Sequence, residues 1–246
     1  MKATMIWDWP TRLFHWSFAG GILAAAFIAL ALGEHHTLFP YHAILGLTLA
    51  LILALRLVWG VIGTRHARFR DFAFGPRAVL AYAASLLGRA PQRHSGHNPG
   101  SAWVIFALLA VAAVIITTGV MLGRGFEAAK EIHETAVWVM LALAAVHVLG
   151  VAFHTLRYRE NITASMVHGR KDAPAEHGIP SAKPITAIVA AVLVAAWTLS
   201  LVTGFDPARA TTTIPGVGVT LRLAESPERE PDRRPENRAD RHDDDD

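Results

Sequence analysis

The sequence predicts an all-α integral membrane protein, built as a four-helix bundle with a fifth transmembrane helix. Of its 246 residues, 52% are hydrophobic and only 17% are charged, a balance that ordinary soluble domains of this length do not have. Apolar runs of about 18 to 23 residues recur, and a helix of about 20 residues crosses the roughly 30 Å hydrocarbon core of a bilayer. The five predicted spans cover residues 14–33, 42–62, 102–122, 132–154 and 184–204.

The distribution of Lys and Arg predicts the orientation of these helices, because positive residues collect in cytoplasmic loops. Residues 63–100 contain six arginines and a single acidic residue, Asp71, so we expect this connection in the cytoplasm. Residues 33–41 contain no Lys or Arg, and residues 123–131 mix both signs of charge, so we expect both outside. The N-terminus is therefore predicted to be cytoplasmic, and the fifth helix would export the C-terminus.

The histidine and cysteine counts restrict the possible chemistry. The sequence has no cysteine, which excludes disulfides, iron–sulfur ligation and covalent attachment of a c-type heme. It has thirteen histidines, and a histidine inside a spanning helix is costly and usually has a partner. Any redox cofactor must therefore be held by side chains other than cysteine, with histidine the foremost candidate.

Four of the histidines within or at the ends of the predicted spans lie at two matched depths. His15 opens the first span on the cytoplasmic side, and His42 opens the second on the external side. His133 begins the fourth span outside, and His147 follows fourteen residues later, about 21 Å along the helix and on nearly the same face. Matching depths pairs His42 with His133 and His15 with His147. Such bis-histidine sites suit two hemes b, with both axial positions filled for electron transfer.

His154 is the alternative to His147, because it lies seven residues further on the same face. It would be about 31 Å from His133 along the helix and close to water, so we favour His147 as the ligand and expect His154 to meet a heme propionate or a quinone. Most of the remaining loop histidines are expected to be solvated. These are His35, His36, His66, His94, His97, His168 and His177.

Two arginines are candidates for binding the propionates of the inner heme. Arg12 and Arg56 lie near the predicted cytoplasmic ends of the first two spans, and a guanidinium binds carboxylates through paired hydrogen bonds. For Arg56 the alternative is a side chain that extends from the helix end to the membrane surface.

Several short motifs together resemble the bacterial cytochrome b561 family, which includes the b-type cytochrome subunits of membrane-bound nickel-iron hydrogenases. The resemblance covers about residues 5–171. It is carried by WDWPTRLFHW at 7–16, HAILG at 42–46, RLVWG at 56–60, GHNP at 96–99, His133-Glu134 and His147. It implies a four-helix core with two hemes b ligated by His15, His42, His133 and His147. Family members pass electrons between the quinone pool and a partner protein, commonly at the external face.

The predicted function is a membrane diheme b-type cytochrome that transfers electrons between quinone and an external redox protein, such as a c-type cytochrome or a hydrogenase. We expect it in the bacterial cytoplasmic membrane, in contact with lipid and without a nucleic-acid partner. It would act as an electron-transfer subunit, with a quinone oxidoreductase activity of its own left open. The predicted parts are a diheme domain at 1–171, a linker and fifth helix at 172–204, and an external, mostly disordered acidic tail at 205–246.

Two other functions would account for part of the sequence pattern. A heme-free transporter could use histidines to conduct a divalent metal or protons, but it predicts ligands at one depth near the midplane, often with intramembrane carboxylates. The interiors of the predicted spans contain essentially no Asp or Glu. A passive membrane anchor would leave the four-histidine arrangement unexplained.

Overall fold

Five long helices form the protein, as described in a computed structural model for residues 2–87 and 94–224. Each is long and apolar enough to cross a membrane. They are α1 (Trp9–Phe27), α2 (Phe39–Ile62), α4 (Pro99–Gly123), α5 (Lys130–Tyr158) and α7 (Pro184–Thr203), with α1 continued by a π-helical turn over Ile28–Leu32. The predicted membrane bundle with a fifth helix is confirmed, and most helices extend a few residues beyond the apolar runs.

Asparagine and aspartate caps decide where two of the helices begin. The Asp8 carboxylate accepts a hydrogen bond from the Thr11 backbone amide at the start of α1. Asn98 does the same for the Ser101 amide at the start of α4. Each cap satisfies an amide that has no partner within its helix. Each is also followed within two residues by a proline, whose fixed φ suits the first helical turn.

Helix α2 lies at the centre of the bundle and packs against α1, α4 and α7, while α5 packs against α4. On the α1 side of α2, Phe14 packs with Leu49 and Ile52. On its other side, Leu53 packs with Ala112 of α4 and Met140 of α5. Many large apolar side chains on the outer surface of the helices remain exposed, as expected of helices that face lipid.

The fifth helix, α7, is an integral part of the bundle. Trp197 donates its indole N–H to the Leu47 carbonyl oxygen at 3.0 Å, and the Thr48 and Thr198 hydroxyls lie 3.1 Å apart. Ala190 joins the apolar cluster between α1 and α2. Interhelical contacts of this kind, with small residues and hydrogen-bonded side chains, are typical of helix association in membranes.

A two-stranded sheet closes one end of the bundle, called the N-terminal end below. Strand β1 (Lys2–Met5) pairs antiparallel with β2 (Arg170–Ala173), with Lys2 opposite Ala173 and Met5 opposite Arg170. The chain therefore returns to its starting point after four long helices. Two shorter helices, α3 (Pro76–Leu87) and α6 (Ile162–His168), complete the α-helices of the described residues.

A second small sheet lies at the opposite end, called the hairpin end. Strands β3 (Thr211–Thr213) and β4 (Thr220–Arg222) pair antiparallel. Leu221 and Leu223 are buried there against Leu201 of α7 and Ile44 of α2. Residues 205–224 thus form a packed hairpin within the segment expected to be a mostly disordered tail. Residues 225–246, with the acidic end, lie outside the described residues.

Asp8 connects the beginning of α1 to the end of α2. It is fully buried, and its carboxylate also accepts hydrogen bonds from the Trp59 indole at 3.1 Å and the Thr64 hydroxyl at 2.5 Å. A buried carboxylate is tolerated only when its oxygens are satisfied in this way. Asp8 therefore fixes how far α1 is shifted along α2.

Replacing Asp8 by Ala should lower the free energy of unfolding by about 3 kcal/mol, because three donors, two of them buried, lose their buried acceptor. Titration with SDS in mixed micelles measures this change. The matched control is Asp71→Ala, which removes a carboxylate paired with Arg68 at the surface and should cost below about 1 kcal/mol. Equal unfolding free energies for the two variants would contradict the assigned role of Asp8.

Candidate functional site

A pair of histidines lies toward the hairpin end of the bundle. His42, in the first turn of α2, and His133, in the first turn of α5, have ring centres 6.2 Å apart with an angle of 72° between the planes. Phe39 stacks on His42 with a centroid distance of 5.6 Å. Two residues from helices that are distant in sequence are thus brought together.

Hydrogen bonds fix the tautomer of both rings. His42 Nδ1 lies 2.9 Å from the Ala25 carbonyl oxygen, which can only accept, so Nδ1 carries the proton. His133 Nδ1 lies 3.0 Å from the Thr118 hydroxyl oxygen. That hydroxyl donates its own hydrogen to the Val114 carbonyl at 2.8 Å, so it accepts from His133. Each ring therefore keeps its Nε2 lone pair for a metal, the usual arrangement of a histidine ligand.

A second pair lies toward the N-terminal end. His15 of α1 and His147 of α5 have ring centres 6.3 Å apart at an angle of 57°. The Trp16 ring meets His15 edge-on, with centroids 5.0 Å apart. The separation of fourteen positions between His133 and His147 on α5 places the two pairs about 21 Å apart along the helix axis.

Both pairs have the spacing of two imidazoles on one metal ion. A metal–imidazole nitrogen bond is about 2 Å long, and the ring centre lies about 1 Å beyond the nitrogen, which places two opposed rings about 6 Å apart. Space beside the rings is also available. A Cβ placed on Gly46, one turn after His42, or on Gly150, one turn after His147, would have no neighbour within 4 Å. The residues present therefore fit a flat macrocycle such as heme.

The two predicted arginines lie at the N-terminal end with unsatisfied donors. Arg12 is buried, places its guanidinium 3.8 Å from the centre of the Trp9 ring and donates to the Val167 carbonyl. Arg56 lies over the Phe69 ring at 4.9 Å. Arg12 Nε and Arg56 Nη1 are buried without a hydrogen-bond partner among the described residues. Buried guanidinium groups in this state are suited to an anionic ligand.

His154, the alternative ligand, lies next to a different set of side chains. It is buried, stacks on Tyr158 with a centroid distance of 4.3 Å, and places Nε2 3.5 Å from the Glu160 carboxylate. The ring that faces His15 is that of His147. The structure thus brings together the four histidines paired by depth and places His154 in a separate polar cluster.

Four loop histidines expected to be solvated are half-buried instead: His66, His94, His97 and His177. The loops that carry them fold over the N-terminal end. His66 Nε2 lies 2.7 Å from the His177 carbonyl, and Ser95 Oγ lies 2.7 Å from His177 Nδ1. His35, His36 and His168 are exposed as expected.

His97 is the functional candidate that sequence reasoning missed. Its ring lies between Trp7 and Phe72, with centroid distances of 4.8 and 4.5 Å. Burial lowers the pKa of His97 to about 3, and the positive charge of Arg56 adds to this effect, so the ring is neutral at physiological pH. Its position in the Gly96–Pro99 motif, directly before α4, was the available signal.

Comparisons with known proteins place these features in a family. A model of the prokaryotic cytochrome b561 family matches residues 6–169. Two curated relatives are named as probable Ni/Fe-hydrogenase B-type cytochrome subunits. The one from Rhizobium leguminosarum is 23% identical over 69% of this chain and 89% of its own length. The relative from Cupriavidus necator is 22% identical over 69% of this chain and 87% of its own length. No solved structure matches the chain significantly. Because the family model spans α1 to α6 and all four paired histidines, the chain belongs to the prokaryotic cytochrome b561 family.

Proposed function

We propose that the protein carries two hemes b, one between His42 and His133 and the other between His15 and His147, and conducts electrons between quinone and a redox partner protein. Membership of the family establishes the coarser statement, a b-type cytochrome that transfers electrons in a membrane. The proposal of two hemes is supported by the distances between ring centres, 6.2 Å in the pair at the hairpin end and 6.3 Å in the pair at the N-terminal end. The two pairs lie at two levels of α5.

The histidines would do more than hold the iron. When bound, heme would supply a one-electron carrier at each histidine pair. The Ala25 carbonyl and the Thr118 hydroxyl orient His42 and His133 through Nδ1, which raises the basicity of the coordinating nitrogen. Arg12 and Arg56 would bind the propionates at the other level.

The partner proposal comes from the relatives and from the distribution of charge. The relatives are named as probable hydrogenase subunits, so a nickel-iron hydrogenase is the first candidate, and a c-type cytochrome is the second. The described parts of the arginine-rich connection, residues 63–87 and 94–98, lie at the N-terminal end, which we propose faces the bacterial cytoplasm. The partner would then bind at the hairpin end.

The structure favours this function over a histidine-lined transporter. Such a transporter needs its ligands gathered at one depth near the middle of the membrane. The four paired histidines are instead divided between two levels about 21 Å apart. Among the described residues, no group of three or more His, Asp or Glu side chains could hold a bare metal ion.

The heme content of the purified protein tests the proposal. We expect two protohemes per chain by the pyridine hemochrome assay. Changing His42 or His133 to Ala should remove one heme, and changing His15 or His147 should remove the other. His154→Ala is the matched control, because it removes a buried histidine from the same helix, and should retain both. Loss of a heme in His154→Ala, with full retention in His147→Ala, would contradict the ligand assignment.

Thr118→Val tests the orientation of His133. Valine has nearly the same shape but cannot accept the Nδ1 hydrogen, so the heme at the hairpin end should bind about 10 to 100 times more weakly. Its reduction potential, measured by redox titration, should also change. Thr198→Val removes a hydroxyl that contacts Thr48 rather than a histidine and should leave both values unaltered. Identical behaviour of the two variants would rule out this role for Thr118.

A further inference from the structure

An aqueous cavity at the N-terminal end adjoins a buried cluster of ionisable side chains. The cavity has a volume of about 470 Å³. Its lining includes Tyr158, Glu160, Ser165, Lys171 and Asp172. Behind Glu160 lies His154, whose contacts are not used by either proposed heme site. Two of these ionisable residues, His154 and Lys171, are 6% and 7% exposed, far less than is usual for charged groups.

Glu160 bridges the two buried bases. Its carboxylate oxygens lie 3.5 Å from His154 Nε2 and 3.6 Å from Lys171 Nζ. Lys171 also donates to the His94 carbonyl at 3.1 Å. Contact with His154, supported by the charge of Lys171, holds the pKa of Glu160 below its ordinary value. Glu160 is therefore a carboxylate at neutral pH.

Several buried polar atoms of the cluster lack hydrogen-bond partners within the part of the chain that the structure describes. This is unusual for a cluster that only stabilises the fold. Both distances from Glu160 are long for direct hydrogen bonds. His154 Nδ1 and Glu160 Oε1 have no hydrogen-bond partner among the described residues, although both are buried. Buried ionisable groups in such a state are costly for stability. When they adjoin a cavity, they are candidates for proton transfer.

The surroundings of the cluster contain further titratable groups. Tyr158 stacks on His154 from the same helix, and Tyr82 of α3 contacts Tyr158. Burial raises the pKa of Tyr82 to about 12, so it stays neutral. Lys171 approaches from β2, His94 from the loop before α4, and Arg159 from the cavity wall. Glu160 is therefore the acidic group between the two buried bases, and the other carboxylate of the cavity lining, Asp172, is exposed.

Helix α5 connects this cluster to the histidine pair at the N-terminal end. His154 follows His147 by seven residues, which corresponds to about 10 Å along the axis and nearly two full turns. The two rings consequently lie on almost the same face of the helix. A path from water into the membrane thus begins at the cavity and continues through Glu160 and His154 to His147.

We propose that Glu160, His154 and Lys171 form a proton-transfer site between the cavity and a quinone bound beside His15 and His147. This proposal rests on the proposed function as a quinone-linked cytochrome. Reduction of one quinone to quinol consumes two electrons, delivered singly through the hemes, and two protons. Each proton leaves the His154 imidazolium and is replaced from cavity water through Glu160, while Lys171 keeps Glu160 ionised. Quinol oxidation runs the same steps in reverse.

The test uses the full chain with heme, in lipid nanodiscs, and compares Glu160→Gln with Asp172→Asn. Asp172 lines the same cavity and is exposed, so it controls for the loss of one negative charge. The rate at which decyl-ubiquinone oxidises the reduced hemes should fall at least about tenfold in Glu160→Gln, with a larger solvent deuterium effect. Asp172→Asn should stay within about twofold of the parent protein. Glu160→Asp should recover part of the rate, which separates proton transfer from a loss of folding.

A second measurement needs no quinone. The midpoint potential of the heme at the N-terminal end should depend on pH in the parent protein, because its reduction draws a proton to His154. This dependence should weaken in Glu160→Gln. If the parent protein does not react with quinone but keeps this pH dependence, the quinone function fails and the proton site stands. A parent rate and pH profile retained in Glu160→Gln would overturn the proposal, as would a pH-independent potential in the parent protein.

Discussion

The buried carboxylate of Asp8 sets the geometry on which the two histidine levels depend. It caps α1 and accepts hydrogen bonds from Trp59 and Thr64 near the end of α2. A buried carboxylate is stable here only where those donors contact it. The position of α1 along α2 is therefore fixed. That position places His15 near the N-terminal end while His42, on the antiparallel neighbour, lies near the hairpin end. Helix α5 then supplies a partner at each level.

The two levels differ in the chemistry of their surroundings. At the hairpin end, neutral acceptors orient both rings. At the N-terminal end, Arg12 and Arg56 are joined by the buried cluster around Glu160. Charged and titratable groups suit a reaction that couples electrons to protons, whereas rigid neutral partners suit electron transfer alone. This asymmetry supports quinone chemistry at the N-terminal end and an electron-transfer partner at the other.

The sequence predicted those features that depend on helix geometry alone. A separation of fourteen residues puts His133 and His147 on one face whatever surrounds them, and apolar length decides the spans. Features that depend on distant contacts were missed. The burial of His97 requires the loops at 63–75, 94–98 and 169–183 to meet the residues that follow β1, which no local pattern reports. The β3–β4 hairpin did leave a local signal, the alternation of Thr220, Leu221, Arg222 and Leu223, but a charged, acidic tail follows it directly and obscured it.

The C-terminal part of the chain changes how the hairpin end can be approached. The family match ends at residue 169, so α7 and the hairpin lie outside it. Helix α7 packs on α1 and α2, whereas β4 reaches the end of α4, where a side chain on Gly123 would stand 3.1 Å from the Arg222 carbonyl. The C-terminal segment therefore connects α1 and α2 to α4 close to His42. A partner docking at this end must contact the hairpin or approach from the α4–α5 side, where Phe126 is exposed.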